Sequence, residues 1–373
     1  MANHNNGMLC LAHLRWDFVY QRPQHVVSRL ARNRSAFYYE EPLTASCDQP
    51  YLACRSDGDV TIVTPMLPEG LFERESLAAQ RELFDEAIER AGGSRPPLLW
   101  YYTPMALAFS RHVDAIRVYD CMDELSLFKN APARIVEREK ELMERAAVVF
   151  TGGRSLYFAK RRVHPNVHCF PSAVDGVHFA PAGRAEPEAL RGLRHPRSIF
   201  YGVIDERFDG AFVADFAAAL GDWDVVFVGP VVKIDPATLP QAPNIHYRGM
   251  QSYDALPALL EHADVALLPF ALNDATRFIS PTKTLEYLAA RKPAISTPIA
   301  DVVDPYGAAG LVRIAHTGTQ AAAMAREALQ TPSAQAWHDA VTALLQRSSW
   351  DATVQSMEAL LAASEVGSLE NAG

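Results

Sequence analysis

The chain has 373 residues, of which 49% are hydrophobic and 21% charged, and its net charge is −9. This composition is typical of a soluble globular protein of two ordinary domains and disfavours nucleic acid as a partner. No apolar run approaches the roughly 20 residues that cross a bilayer. The N-terminus lacks a secretory pattern and the five cysteines have no paired spacing, so we expect free thiols and a cytoplasmic protein.

The predicted elements alternate between strand and helix along the first half of the chain. The predicted strands are the apolar runs MLCLAHL, SAFYYEE, VTIVTPM, LLWYYTP, IRVYDCM and AVVFTG. The predicted helices among them are HVVSRLARN, SLAAQRELFDEAIERAGG and RIVEREKELMERA. Buried apolar strands that alternate with helices predict a parallel sheet covered on both faces.

The second half repeats this alternation after an irregular stretch. Its predicted strands are RSIFYGV, WDVVFVGP, NIHYRG, DVALLPF and PAISTP, and its predicted helices include FVADFAAALG and YDALPALLEHA. The fold class predicted is therefore α/β, with two Rossmann-like doubly wound domains. We place them at residues 1–180 and 181–345, followed by a final helix and tail at 346–373.

Charge is distributed unevenly between the two halves. Residues 1–195 carry 24 Lys and Arg against 24 Asp and Glu, whereas residues 196–373 carry 11 against 20. Any phosphate bound by the acidic half must therefore be met by a few placed cations and backbone donors. In an open α/β sheet such ligands bind beyond the carboxyl ends of the strands.

The segment SPTKTLEYLAARKP, which follows one of those strands, contains a cation in an unusual place. Ser280 and Pro281 predict a helix N-cap and first helical position. Lys283 then lies in the first turn, where the helix dipole disfavours a cation by roughly 0.3–1 kcal/mol. A diphosphate bound there would reverse that cost, with Ser280 and Thr282 as hydroxyl donors and Glu286 within reach of a ribose. The alternative is an ordinary capped helix with a solvated Lys–Glu pair.

This segment resembles the donor-binding signature of the large retaining group-1 glycosyltransferases (GT4) of the GT-B fold. Pro281, Lys283, Glu286 and Tyr287 are similar to the family's P-x-K-x-x-E-Y pattern. The resemblance implies that Glu286 holds the donor ribose. The family's first glutamate is absent, because Phe278 stands eight positions before Glu286; the resemblance leaves Asn273 or Asp274 to take its role.

Further segments extend the resemblance over most of the chain. CFPSAVDGVHFAPA (Cys169–Ala182) is similar to the motif that ends the family's first domain. By the same resemblance Arg207 is a second phosphate cation, the backbone near Arg248 meets the base, and the final helix crosses back to the first domain. The two domains are then expected to face each other across a cleft, with the donor nucleotide held mainly by the second.

The first domain is expected to bind the acceptor. WDFVYQRPQHVVSRLA (Trp16–Ala31) resembles a bacterial subgroup associated with surface polysaccharides, which implies that Gln21, Arg22 and His25 contact the acceptor; helix capping and a half-buried histidine are the alternative. Asp123 follows a buried strand where the family has a polar residue near the reacting carbon. It is the candidate catalytic residue, with a helix N-cap as the alternative.

The resemblance implies transfer of a sugar from a nucleotide diphosphate sugar to the hydroxyl of a saccharide, lipid-linked or small-molecule acceptor, with retention. It implies no metal and no cofactor besides that co-substrate. A nucleotide-sugar 2-epimerase and a non-catalytic sugar-nucleotide-binding relative stay open as alternatives. No G-x-G-x-x-G follows the first strand, which disfavours a nicotinamide enzyme. The basic run Lys160–Arg162 beside Tyr157 and Phe158 predicts peripheral contact with an anionic membrane, or else a solvated helix end.

Overall fold

The computed structural model describes residues 7–92, 97–331 and 334–370, with side chains as far as residue 363. The chain divides into two compact units. Unit 1 comprises Met1–Ser126, Ala131–Phe170 and Thr353–Gly373, and unit 2 comprises Leu127–Asn130 and Pro171–Ala352. Among the described residues no helix is both long and apolar enough to span a membrane.

Unit 1 is built on a sheet that has nine strands within the described residues, in the order β3-β5-β2-β1-β6-β7-β8-β9, with β4 on β5. The strand β4 pairs antiparallel and the other pairings are parallel. Its strands are β1 (Met8–Leu11), β2 (Ala36–Tyr39), β3 (Leu43–Ala45), β4 (Tyr51–Asp57), β5 (Val60–Pro68), β6 (Leu98–Tyr101), β7 (Arg117–Cys121), β8 (Val148–Thr151) and β9 (Val167–Cys169). Its helices before the domain boundary are α1 (Arg22–Leu30), α2 (Glu73–Ala91), α3 (Leu107–Ser110), α4 (Ile135–Arg145) and α5 (Arg154–Lys160).

The strands at the centre of this sheet are buried along their whole length. Every residue of β1, β6, β7 and β8 is buried. The strand order reverses between β1 and β6, since β2 and β5 extend the sheet to one side and β7 to β9 to the other. Ligands of such sheets bind at this reversal, beyond the strands' carboxyl ends.

Unit 2 has a parallel sheet with the strand order β12-β11-β10-β13-β14-β15, the order of a Rossmann fold. Its strands are β10 (Arg197–Tyr201), β11 (Asp224–Val228), β12 (Ile245–Tyr247), β13 (Val265–Leu268), β14 (Ala294–Ser296) and β15 (Arg313–Ile314). Its helices are α6 (Gly176–Phe179), α7 (Gly210–Ala219), α8 (Leu256–Glu261), α9 (Lys283–Ala289), α10 (Ala300–Val302), α11 (Gly318–Gln330) and α12 (Gln335–Gln346), and α13 (Trp350–Glu370) follows. The prediction of two Rossmann-like, doubly wound domains is confirmed.

The boundary between the units follows Phe170, whereas the sequence places it after residue 180. The reason is the segment that begins at Pro171. Its Val174 N–H donates to the Ser348 carbonyl at 2.9 Å, and the Ser172 hydroxyl bonds within unit 2. The last helix, expected from residue 346, begins at Trp350, and its residues from Thr353 belong to unit 1. Residues 371–373 of the expected tail lie outside the described residues.

The start of α9 also differs from the one that the sequence predicts. Ser280 was expected as the N-cap with Pro281 as the first helical residue, but α9 begins at Lys283 with Thr282 as its N-cap. The Thr284 N–H donates to the Pro281 carbonyl, which closes a tighter turn ahead of the helix. Ser280 therefore precedes the helix and does not cap it.

Candidate functional site

The candidate site of unit 2 lies at the reversal of strand order, where β10 adjoins β13. Gly202 follows β10 with φ +130°, and Gly229 follows β11 with φ +141°. A Cβ on Gly229 would stand 1.9 Å from the Gly202 carbonyl oxygen. The two strand ends thus approach more closely than any side chain allows, and the backbone itself forms this edge of the site.

Lys283 lies directly against that edge. A Cβ on Gly202 would stand 2.2 Å from Lys283 Cε and 2.6 Å from its Nζ. The same Nζ is 5.7 Å from the centre of the Phe200 ring. The half-buried lysine therefore extends from the first turn of α9 to the end of β10, and only a glycine at position 202 leaves it that space.

Glu286, one turn further along α9, is 5% exposed. Its Oε2 accepts a hydrogen bond from the Tyr201 hydroxyl at 2.5 Å. Burial raises the pKa of Glu286, and the Tyr201 hydrogen bond and the charge of Lys283 act in the opposite direction. Glu286, predicted to bind ribose, and Lys283, predicted to bind phosphate, are thus neighbours on α9. Sequence reasoning missed Tyr201, whose hydroxyl joins the end of β10 to Glu286.

Three hydroxyl residues meet beside the start of α9. The Thr282 hydroxyl donates to Ser172 Oγ at 3.0 Å, and Ser172 Oγ donates to the Ser280 carbonyl at 3.5 Å. The sequence analysis assigns no role to Ser172. Its contact with two predicted donor-binding residues connects the start of unit 2 to α9.

Arg207, predicted as a phosphate cation, is already paired in this structure. Its Nε and Nη2 donate to the two oxygens of Asp205 at 2.9 and 2.7 Å. Its Cζ is also 5.2 Å from the Phe128 ring centre, and Lys233 Nζ is 5.6 Å from that ring. Sequence reasoning missed Asp205, which compensates the charge of Arg207, and Lys233, which supplies a second cation nearby.

The remaining predicted donor residues border the same sheet edge. Arg248 is exposed after β12, and its N–H donates to the Phe227 carbonyl at 2.8 Å. Phe278 is half-buried, with the Arg277 guanidinium 5.2 Å from its ring centre. Asn273 caps the next short turn and donates from Nδ2 to the Glu206 carbonyl, and Asp274 is exposed.

In unit 1, Arg22, which the sequence predicts as an acceptor contact, is buried and paired. Arg22 is 2% exposed, and its Nε and Nη2 donate to Asp120 at 2.8 to 3.1 Å. Its Nη1 donates to the Phe170 carbonyl at 2.7 Å. The guanidinium thereby joins the start of α1 to the ends of β7 and β9, because a buried charge needs partners of this kind.

The other predicted residues of unit 1 differ in exposure. His25 is 2% exposed, so it too does not face an open surface, and its ring lies 4.7 Å edge-on from that of Tyr20. Gln21 is half-buried at the N-cap of α1. Asp123 is half-buried after β7, and its carbonyl accepts from Cys121 Sγ at 3.5 Å.

Lys160 does not belong to a basic surface. It is buried, and its Nζ donates to Glu124 at 2.6 Å and to Glu139 at 2.7 Å. The exposed part of this region consists of Phe158, Arg161, Arg162 and Val163. The five cysteines are free thiols, as expected, and no group of three or more His, Cys, Asp or Glu among the described residues is arranged to hold a metal ion.

Comparison with known proteins relates unit 2 to a family of enzymes. Residues 195–346 match the family model described as glycosyl transferases group 1. This region, which is less than half of the chain, is similar to group 1 glycosyltransferases. The matched residues coincide with the sheet of unit 2 and the helices that follow it, and therefore include Lys283 and Glu286.

One curated relative is a Bacillus subtilis (strain 168) protein provisionally described as the teichuronic acid biosynthesis glycosyltransferase TuaH. It is 23% identical over 236 residues, which are 58% of this chain and 59% of the relative. The match thus spans less than two thirds of the relative's length.

Solved structures with the same GT-B fold match almost the whole chain. Sucrose-phosphate synthase from Thermosynechococcus elongatus has a TM-score of 0.68 at 14% identity, covering 97% of this chain and 100% of that one. A UDP-forming trehalose-phosphate synthase from Burkholderia vietnamiensis has a TM-score of 0.68 at 16% identity, covering 96% and 100%. An E. coli structure described as bound with UDP-2-fluoro glucose has a TM-score of 0.66 at 12% identity, covering 95% and 98%.

Proposed function

We propose that this GT-B protein transfers a glycosyl unit from a nucleotide diphosphate sugar to the hydroxyl of an acceptor. The observation that carries the proposal is Lys283, whose ammonium group lies against Gly202 where the strand order reverses, one helical turn from Glu286. A diphosphate at that backbone edge would neutralise the lysine, and the ribose would lie beside the glutamate. The group 1 domain match supports this assignment.

The proposal gives the phosphate-binding residues unequal roles. Lys283 is the principal cation, because Asp205 already compensates Arg207. Ser280 and Thr282 supply hydroxyl groups near the start of α9, and the backbone at Arg248 meets the base. Asn273 or Asp274 takes the place of the glutamate that Phe278 replaces.

We further propose a GT4-like reaction with retention and without a metal. The leaving diphosphate then serves as the base on the face of the sugar it departs from, so the protein supplies cations rather than a pair of carboxylates. In unit 1, Asp123 is the proposed catalytic residue and Gln21 an acceptor contact. Arg22 and His25, which are buried, would act by positioning that region.

The acceptor we propose is a saccharide or a lipid-linked saccharide. The name of the Bacillus subtilis relative, which refers to teichuronic acid biosynthesis, supports a role in polysaccharide synthesis. We propose a cytoplasmic protein that contacts the membrane at the exposed surface formed by Phe158, Arg161, Arg162 and Val163, called here the α5 surface. An anionic bilayer attracts arginines, and an apolar ring inserts among its headgroups.

A nucleotide-binding experiment tests the donor assignment. The thermal midpoint is measured with UDP, GDP, ADP and dTDP, since a ligand that binds only the folded state raises it by mass action. The names of the solved structures that mention UDP make UDP the first probe. We expect Lys283→Met to weaken binding of the preferred nucleotide by at least about tenfold through loss of a charge-assisted contact.

Two variants serve as controls in the same measurement. Lys140→Met removes an exposed lysine of unit 1 and should bind like the wild type. Asp123→Asn should also keep its nucleotide affinity, but should lower kcat for transfer from the corresponding nucleotide sugar. Unchanged affinity in Lys283→Met would contradict the assignment, and full turnover in Asp123→Asn would remove Asp123 from the catalytic role.

A further inference from the structure

The end of β10 is bound to α9 through two adjacent tyrosine contacts. Tyr201, the last residue of β10, is 4% exposed and donates from its hydroxyl to Glu286 Oε2 at 2.5 Å. Its backbone N–H donates to the Tyr287 hydroxyl at 3.4 Å. One contact therefore reaches the carboxylate proposed to bind ribose, whereas the other joins the same strand and helix without touching that carboxylate.

The two oxygens of Glu286 have different surroundings. Oε2 accepts from Tyr201, whereas no described residue donates a hydrogen bond to Oε1. Some buried side-chain nitrogen and oxygen atoms lack both solvent contact and a hydrogen-bond partner, and Oε1 is not among them. A carboxylate has about four acceptor positions, and burying one with so few donors costs free energy. This arrangement leaves acceptor capacity at Oε1 for a ligand that brings its own donor.

The neighbouring charged and titratable groups favour a hydroxyl as that donor. Lys283, on the same helix, already supplies the positive charge. The other titratable groups that interact with Glu286 or Tyr201 are Tyr287, also on α9, and Tyr253. Burial and the charge of Glu286 raise the pKa of Tyr201 well above its ordinary value. The tyrosine therefore keeps its proton at neutral pH and acts as a donor to Glu286.

We propose that Tyr201 is a positioning residue that holds Glu286 by Oε2, so that Oε1 accepts a hydrogen bond from a ribose hydroxyl of the nucleotide. This inference rests on the proposed function. It gives Tyr201, which lies on β10 and not on the helix of Lys283 and Glu286, a part in recognising the nucleoside. Tyr201→Phe removes the hydroxyl alone. Tyr287→Phe is the matched control, because it removes a hydroxyl between the same two elements.

Calorimetry gives the affinities of UDP and of 2′,3′-dideoxy-UDP, and their ratio isolates the contribution of the ribose hydroxyls. The same comparison is made with GDP, ADP and dTDP and their dideoxy analogues. We expect Tyr201→Phe to lose about tenfold in affinity for the ribonucleotide and little for the dideoxy analogue. Tyr287→Phe should keep the wild-type ratio. Equal losses for both ligands in Tyr201→Phe would overturn the role of Tyr201, whereas no binding of any nucleotide to the wild type would overturn the proposed function.

A second measurement needs no ligand. The pH titration of the Glu286 carboxyl carbon is followed by NMR in the full chain. The Tyr201 hydrogen bond lowers the pKa of Glu286, so Tyr201→Phe should move the titration of Glu286 to higher pH. When nucleotide is added, the part of its affinity that depends on the ribose hydroxyls should be lost on acidification at a higher pH in Tyr201→Phe than in the wild type. In Glu286→Gln the ribose contribution should no longer depend on pH. An unmoved titration in Tyr201→Phe would overturn the proposal, and the thermal midpoint of each variant reports on folding.

Discussion

At the scale of single residues, buried charges in both units are held by specific partners. Arg22 meets Asp120 in unit 1, Lys160 meets Glu124 and Glu139, and Glu286 meets Tyr201 in unit 2. Burying an ion is expensive, and removing one partner leaves the other uncompensated. These contacts therefore fix side chains near the ends of the strands, where both units of a GT-B protein are expected to bind their ligands.

Asp120→Asn tests the importance of the buried pair. The substitution leaves the Arg22 guanidinium buried without its counterion, and we expect a loss of about 3–5 kcal/mol in the free energy of unfolding. The measurement is urea unfolding followed by circular dichroism. Asp114→Asn, at an exposed position on the same unit, should change it by less than about 0.5 kcal/mol. Equal stability of the two variants would mean that Arg22 finds other partners.

At the scale of elements, one carboxylate joins α8 to the segment between α6 and β10. Glu261, the last residue of α8, accepts from the backbone N–H groups of Ala182, Gly183 and Arg184 at 2.5 to 2.9 Å. Burial raises the pKa of Glu261, but these backbone donors and the Arg184 side chain outweigh it and lower the pKa to about 2. The ionised carboxylate thus holds the start of unit 2 in place.

Glu261→Gln should therefore have a pH-dependent effect. The folded-state pKa lies below the ordinary value of 4.5, so the stabilisation is present above about pH 4.5 and is lost as the pH falls toward 2. We expect the variant to lose about 1–3 kcal/mol at pH 7, since charged hydrogen bonds become neutral ones. The difference from the wild type should shrink progressively below pH 4.5. A constant difference in thermal unfolding between pH 7 and pH 3 would contradict this account.

At the scale of the whole molecule, charge is divided between two regions of different character. The acidic second half supplies the net charge of −9, while the first half is neutral. Residues 152–166, which contain α5, include no Asp or Glu. The α5 surface is thus a local exception in an acidic protein, where Phe158 is 50% exposed next to two exposed arginines.

This surface predicts selective binding to anionic lipid. The full chain should co-sediment with vesicles of phosphatidylglycerol and phosphatidylcholine more than with phosphatidylcholine alone, and salt should weaken the binding. The double variant Phe158→Ser/Arg161→Glu should abolish the difference. The matched control is Phe72→Ser/Arg74→Glu, another exposed Phe–Arg pair of unit 1. If both double variants lost binding equally, or neither did, the α5 surface would not be the contact.

The sequence by itself determined the class of fold. Alternating apolar runs and amphipathic segments predicted two doubly wound sheets, because a strand covered on both faces must be apolar throughout. It also singled out Lys283 and Glu286, because both lie on one short segment and a cation in the first turn of a helix is a local anomaly. Local patterns of this kind need no knowledge of strand order.

Only the tertiary structure decided which side chains meet across elements. Arg22 and Asp120 are 98 residues apart, Tyr201 and Glu286 are 85 apart, and Ser172 and Thr282 are 110 apart. The burial of Arg22, His25 and Lys160 likewise follows from the tertiary structure and not from the sequence. Such contacts depend on which strands are neighbours in the sheet and on how each helix lies against them, and neither periodicity nor local spacing carries that information.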